Sequence, residues 1–170
     1  MKNRWTATDV TTVIIAVSLL VAPSARASER RPTGPDADTE QGIRLTPAEL
    51  KWTAGPPMLP SRASMAVIEG SFSNPGPFTV RLKFPANYRI PPHWHPVKVT
   101  VTVISGTFHM GFGDELDTGK GKMLPAGSIF EMPAMIHHFG WTSEETVIQE
   151  HGVGPLSVNY LSPAHDGVHR

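Results

Sequence analysis

Residues 92–106 read Pro92-His93-Trp94-His95-Pro96-Val97-Lys98-Val99-Thr100-Val101-Thr102-Val103-Ile104-Ser105-Gly106. Alternate residues of a strand share a face, so His93 and His95 aim together. If the alternation continues, Val97, Val99, Val101 and Val103 extend that face, while Lys98, Thr100 and Thr102 take the other. Two imidazoles would then sit above a valine-lined interior. His138, which follows a second β-type run ending at Met132-Pro133, is a third candidate. Neutral imidazole is a common ligand for zinc, iron, copper and nickel, and three converging on one barrel mouth would form an open site. An isolated His-x-His pair more often marks a solvated strand edge or a satisfied core.

Working outward, the chain from Trp52 onward is a series of short β-type runs separated by Gly, Pro, Asn and Asp. The clearest are residues 64–69, 78–84, 97–105, 107–112, 129–132, 146–151 and 156–161. Several strands at this spacing imply an all-β sandwich or barrel, in which closure removes exposed edges. Ahead of them, Thr46-Pro47-Ala48-Glu49 combines an N-cap threonine, a proline at the first helical position and a glutamate placed to close a capping box. A short N-terminal helix reaching about Trp52 is therefore expected.

The spacing around the histidines resembles the cupin superfamily. Its first motif, Gly, five residues, His-x-His, three or four residues, Glu, six residues, Gly, falls on Asn87, His93, His95, Val99 and Gly106. The second, Gly, five residues, Pro-x-Gly, two residues, His, three residues, Asn, falls on Gly127, Pro133, Met135, His138 and Thr142. Residues 92–96, 103–108 and 124–127 are also similar to a subgroup of small bacterial single-domain cupins, and the resemblance spans residues 50–163. It implies a cupin-type double-stranded β-helix (a jelly-roll barrel) over 46–163, with a polar tail at 164–170. It further implies that His93, His95 and His138 hold one divalent ion, whether iron, zinc, manganese, nickel or copper. A small-molecule ligand or substrate and a homodimer formed through a sheet are implied in the same way.

The departures fall on the chemistry. Val99 stands where the family has its glutamate ligand, and valine cannot coordinate. Three arrangements remain open. Three histidines suffice, as in cupin-like oxygenases that hold iron this way; or Gln149 or His151, on one face of the 146–151 run, supplies the missing ligand; or the site has lost its metal. The resemblance thus implies either a dioxygenase-like oxidoreductase or a non-catalytic binding protein. Asn87 for Gly is a mild change, because asparagine tolerates the left-handed backbone.

Other residues carry weaker readings. His137 should be a rim residue, since neighbours in extended chain point apart. His109 should point outward between inward Phe108, Met110 and Phe112. Met110, Met132 and Met135 fit core filling better than copper binding. Glu131 and Glu150 each lie within a strand and could face either way; an inward Glu150 would break the alternation that puts Gln149 and His151 inside. Arg81 is expected on an exposed face, although an inward arginine could bind a substrate carboxylate. Gly-x-Ser-x-Gly, P-loop and His-Glu-x-x-His motifs are absent, so hydrolase, NTPase and zincin chemistries have no motif support.

Lys2 and Arg4, the uncharged run from Val10 to Pro23 and the small-residue site at Ala25-Arg26-Ala27 read as a secretory signal peptide over 1–27, with cleavage after Ala27. A retained N-terminal anchor is the competing reading. Residues 28–45 carry almost nothing to bury and are expected to form a flexible linker. Cleavage would remove Lys2, Arg4, Arg26 and Asp9 from fifteen residues of each sign, leaving a net charge of −2. With no basic cluster beyond Arg31, nothing marks a nucleic-acid or anionic-membrane surface. The chain has no cysteine. Any metal must therefore sit on nitrogen and oxygen, in a periplasmic or secreted protein with no stable membrane insertion after cleavage.

Overall fold

The computed structural model describes residues 42–162. The expected signal peptide, most of the expected linker and the polar tail lie outside the described residues.

Eleven strands follow one another: β1 (Thr53–Ala54), β2 (Ser64–Glu69), β3 (Gly76–Phe84), β4 (Arg89–Trp94), β5 (Val99–Ser105), β6 (Thr107–Phe112), β7 (Lys122–Pro125), β8 (Ile129–Met132), β9 (His138–Thr142), β10 (Thr146–Gly154) and β11 (Asn159–Tyr160). They form a six-stranded sheet in the order β1-β2-β3-β10-β5-β8 and a five-stranded sheet in the order β11-β4-β9-β6-β7. Every pairing is antiparallel. This is the expected all-β jelly roll.

Alternation sets which face each strand buries. In β3, Phe78, Val80, Leu82 and Phe84 are buried while Thr79, Arg81 and Lys83 are not. In β5, Val99, Val101 and Val103 are buried. These residues join Phe108, Met110, Leu124, Met132 and Ile148 in one apolar core. Burial of each such side chain is worth about 1.5–3 kcal/mol.

Three expectations change. The helix to Trp52 is a single 3-10 turn, Pro47–Glu49, and Leu50 is already extended. The Glu49 carboxylate does accept hydrogen bonds from the Thr46 backbone and hydroxyl, both at 2.7 Å. The turn buries no residue, and a cap alone does not offset the cost of nucleating a helix that has no packed face. The second change concerns the run from His93 to Val103. It is two strands rather than one, because the chain leaves β4 at His95 and enters β5 in the other sheet at Val99. Pro96 and Lys98 are exposed in the crossing. The valines thus belong to the sheet opposite the histidines. The third concerns two apolar residues: Phe112, expected inside by alternation, is 52% exposed at the end of β6, and Met135, expected to fill the core, is 58% exposed.

Motif positions have visible backbone reasons. Asn87 has φ 58° and Met135 φ 65°, so both adopt the left-handed conformation that glycine provides at those places in the family pattern. The Met135 N–H donates to the His95 carbonyl at 2.8 Å. That bond ties the loop before His138 to His95. Thr142, where the pattern has asparagine, is buried; its hydroxyl donates to the Pro85 carbonyl at 2.7 Å and accepts from the Tyr88 N–H at 3.3 Å.

Candidate metal centre

β4 and β9 are neighbours, and their register sets His93 directly opposite His138. His95 lies just beyond the end of β4, on the same side as His93 by the period of two. The ring centroids are 4.9 Å apart for His93 and His95, 4.3 Å for His93 and His138, and 5.0 Å for His95 and His138. One nitrogen from each ring lies within 4.8 Å of the others. All three residues are buried.

The outer nitrogens are committed. His93 Nδ1 donates to the Pro91 carbonyl at 2.7 Å, His95 Nδ1 to the Ser157 carbonyl at 2.9 Å and His138 Nδ1 to the Ile136 carbonyl at 2.8 Å. A carbonyl only accepts, so each ring carries its proton on Nδ1 and leaves a lone pair on Nε2. His138 Nε2 is buried with no hydrogen-bond partner. A buried polar atom without a partner costs about 1–3 kcal/mol, and a cation would satisfy it. Backbone tethering of the far nitrogen is also how metal-bound imidazoles are oriented. The donor set therefore fits one divalent ion.

Electrostatics agree. Burial lowers the His93 imidazole to about 3, helped by the neighbouring His138. Burial lowers His138 to about 4, and His95 moves in the same direction for the same reason. All three are neutral at pH 7, the state in which imidazole binds metal.

The histidines open onto a cavity between the sheets. Its lining is otherwise almost wholly apolar, including Leu82, Phe84, Val101, Phe108, Phe139 and Ile148, with Met58 and Leu59 contributed by the segment before β2. Tyr160 of β11 stands beside His93, ring to ring at 5.5 Å, and its hydroxyl donates to the Met58 carbonyl.

The structure does not bring the two supplementary candidates to this group. Gln149 accepts a hydrogen bond from Arg81 at 3.1 Å, and His151 is exposed. The register explains both placements: Ile148 and Glu150 of β10 lie opposite buried Leu82 and Val80 of β3, whereas Gln149 and His151 lie opposite Arg81 and Thr79. The even residues of β10 therefore face the interior. Glu150 lines the cavity, the residue whose orientation sequence reading left open. Val99 is fully buried and offers no donor atom. His137 is on the rim with its Nδ1 2.7 Å from Asp114 Oδ1. His109 faces away from the core, stacked on Trp141, and Glu131 is exposed and paired with Lys98 at 2.7 Å.

No protein-family model matches the chain, and no curated protein matches it. Solved structures do. The polyketide cyclase RemF from Streptomyces resistomycificus is 15% identical, with 72% of this chain and 87% of that chain covered and a TM-score of 0.59. A candidate acetylacetone dioxygenase from Methylibium petroleiphilum PM1 is 15% identical over 72% of this chain and 82% of that one, with a TM-score of 0.56. An RmlC-like cupin from Ralstonia eutropha JMP134 is 21% identical over 65% and 68%, with a TM-score of 0.51. At these identities the likeness is one of fold. The chain has the cupin fold, with a group of three histidines that could hold a metal ion.

Proposed function

We propose that this chain is an exported metal-binding cupin that holds one divalent ion with His93, His95 and His138 and acts on a small molecule. The observation that carries the reading is the convergence of three imidazoles, one nitrogen of each within 4.8 Å of the others, while each Nδ1 is held by a backbone carbonyl and leaves the Nε2 lone pair for an ion. An ion bound there would supply Lewis acidity and, as iron, redox chemistry with dioxygen. The chain's own residues do the rest. The backbone tethers hold the imidazoles in place before any ion arrives. The apolar walls lower the local dielectric and strengthen the polar interactions within. Similarity in fold to a candidate acetylacetone dioxygenase supports oxidation of a small molecule as the reaction.

Export rests on the N-terminal reading, and the mature chain is expected to begin at Ser28. Among the described residues no helix is long and apolar enough to cross a membrane.

A second reading has an observation of its own. Val99 removes the carboxylate of the family pattern, and among the described residues no acid joins the three histidines within ligand distance. A non-catalytic cupin that binds a small ligand or sequesters metal would need no such group. Oxygen uptake by the iron-loaded chain, measured with a panel of diketones, phenols and thiols, separates the two. Uptake that depends on one of these compounds and is lost in His138→Ala supports the enzyme. A loaded chain that consumes no oxygen with any of them supports the binder.

A further inference from the structure

The three histidines are buried, and His138 Nε2 is sealed from solvent. An ion or a small molecule therefore reaches them only if part of the wall moves. Most of the wall is β-strand, held in one or other sheet. The lining residues outside strands, His95 apart, are Pro56, Met58, Leu59, Phe72, Leu156 and Val158. Three of these are pinned. The Leu156 N–H donates to the Phe72 carbonyl at 2.7 Å, and beside Val158 the Ser157 carbonyl holds His95 Nδ1 at 2.9 Å. Just beyond, the chain enters β11 and pairs with β4. Moving that segment would release His95 itself. Pro56, Met58 and Leu59 are left.

These three belong to the loop that joins β1 to β2. Its ends meet: Ala54 pairs with Ser64, and the Gly55 N–H donates to the Ala63 carbonyl at 2.8 Å, so the hairpin closes without help from the loop. Among the described residues, no backbone hydrogen bond joins residues 56–62 to any other part of the chain. Two side chains do. The Tyr160 hydroxyl donates to the Met58 carbonyl at 2.9 Å, and the Tyr88 hydroxyl donates to the Pro60 carbonyl. Burial pushes the Tyr160 phenol up to about 12 and raises Tyr88 as well, so both keep the proton they donate. Pro56, Pro57 and Pro60 have fixed φ, which stiffens the loop and leaves its ends at Gly55 and Arg62 to bend. Met58 and Leu59 are half-buried against the core. Lifting the loop uncovers these two side chains and leaves both sheets intact.

We propose that the loop at residues 56–62 is a hinged cover over the histidine cavity, latched by the hydroxyls of Tyr88 and Tyr160, and that ions and small molecules pass beneath it. The inference rests on reading the histidines as a metal centre. Removing one neutral hydrogen bond should raise the open population roughly three- to tenfold. Neither hydroxyl bonds to a histidine. Entry and exit should therefore quicken together while the equilibrium affinity for metal stays the same.

The test uses the full chain and zinc. Uptake by the folded, metal-free protein is timed with a zinc indicator, and release is timed by stripping with excess chelator. Tyr160→Phe and Tyr88→Phe keep their rings and lose only the latch. Each should exchange zinc roughly three- to tenfold faster in both directions, at the parent's affinity. A variant in which residues 56–62 are replaced by Asn-Gly, a pair suited to a tight hairpin, should exchange faster still. Thr146→Val controls for general loosening. It removes a buried hydroxyl that lies 3.1 Å from the Thr107 and Glu144 carbonyls and bonds to neither the loop nor its latches, and it should exchange at the parent's rate. Parent rates in both tyrosine variants, or equal acceleration by Thr146→Val, overturn the cover and leave the metal centre standing. So does a parent that takes up zinc only when refolded in its presence. A parent that takes up no zinc by either route overturns the metal-centre reading and this inference with it.

Discussion

Replacing Glu150 by glutamine should stabilise the metal-free protein at alkaline pH and leave it nearly unchanged in acid. Burial raises the carboxyl from its ordinary 4.5 to about 7. A group whose folded pKa lies above its unfolded value contributes stability that is fully present below pH 4.5 and is lost as the pH rises to about 7. Each unit of separation is worth about 1.4 kcal/mol, so ionised Glu150 costs the native state on the order of 3 kcal/mol above neutrality. Glutamine has nearly the same shape and no charge at any pH. Urea unfolding of both proteins at about pH 4 and about pH 8.5 reads the difference directly, and other titrating groups cancel between them. The variant should match the parent within about 1 kcal/mol at the lower pH and exceed it by up to about 3 kcal/mol at the higher. A stability difference that does not change with pH, or a variant weaker than the parent at pH 8.5, would refute the inward-facing placement of this half-buried side chain against the apolar wall.

Three further outcomes follow from the same geometry. The histidines shift the other way: His93 and His138 are held at about 3 and about 4 in the folded chain, so their contribution is present above the ordinary 6.5 and is lost as the pH falls below it. The metal-free protein should weaken by about 1.4 kcal/mol per pH unit for each of these imidazoles, and a His93→Gln/His138→Gln double variant should show a visibly shallower acid slope in thermal melts. Gly140→Ala places a Cβ 2.5 Å from the Phe108 ring and 3.2 Å from the His109 carbonyl. It should cost about 1–3 kcal/mol in denaturant unfolding, and a neutral result would argue against the tight packing of β9 on β6. Thr142→Val removes a hydroxyl bonded to Pro85 and Tyr88 in a buried setting. A loss of about 1–3 kcal/mol is expected, and unchanged stability would show that the β3–β4 connection does not depend on it.

The β-type runs between turn residues were legible in the sequence, and residues 64–69, 107–112 and 129–132 are strands at the expected bounds. The cleanest period of two is that of Phe78, Val80, Leu82 and Phe84 in β3, which starts two residues earlier than the run implies. β4 was hidden by Pro91 and Pro92, which argue against a strand on sequence alone. They are tolerated because the pairing with β9 slips between Ile90 and His93. β9 was hidden for another reason. His138, Phe139 and Gly140 are buried consecutively, and a strand covered on both faces shows no alternation. Glycines 111 and 140 leave room there for the rings of Phe139 and Phe108.

The site divides in the same way. His-x-His spacing and the second motif bring together three residues from β4, its C-terminal end and β9. The inward face of β10 could not be read, because Gln149, Glu150 and His151 are all polar and the phase of the strand is set by its register with β3 and β5. A single buried neighbour decides it: Ile148 is inside, so Glu150 is inside and Gln149 is not.

The measurement that bears most directly on the account is the metal content of the exported chain, purified without chelator and compared with His93→Ala and His138→Ala prepared in parallel. One divalent ion per parent chain, and its loss from both folded variants, is the expected result. Metal content that is the same in all three proteins would contradict the three-histidine centre.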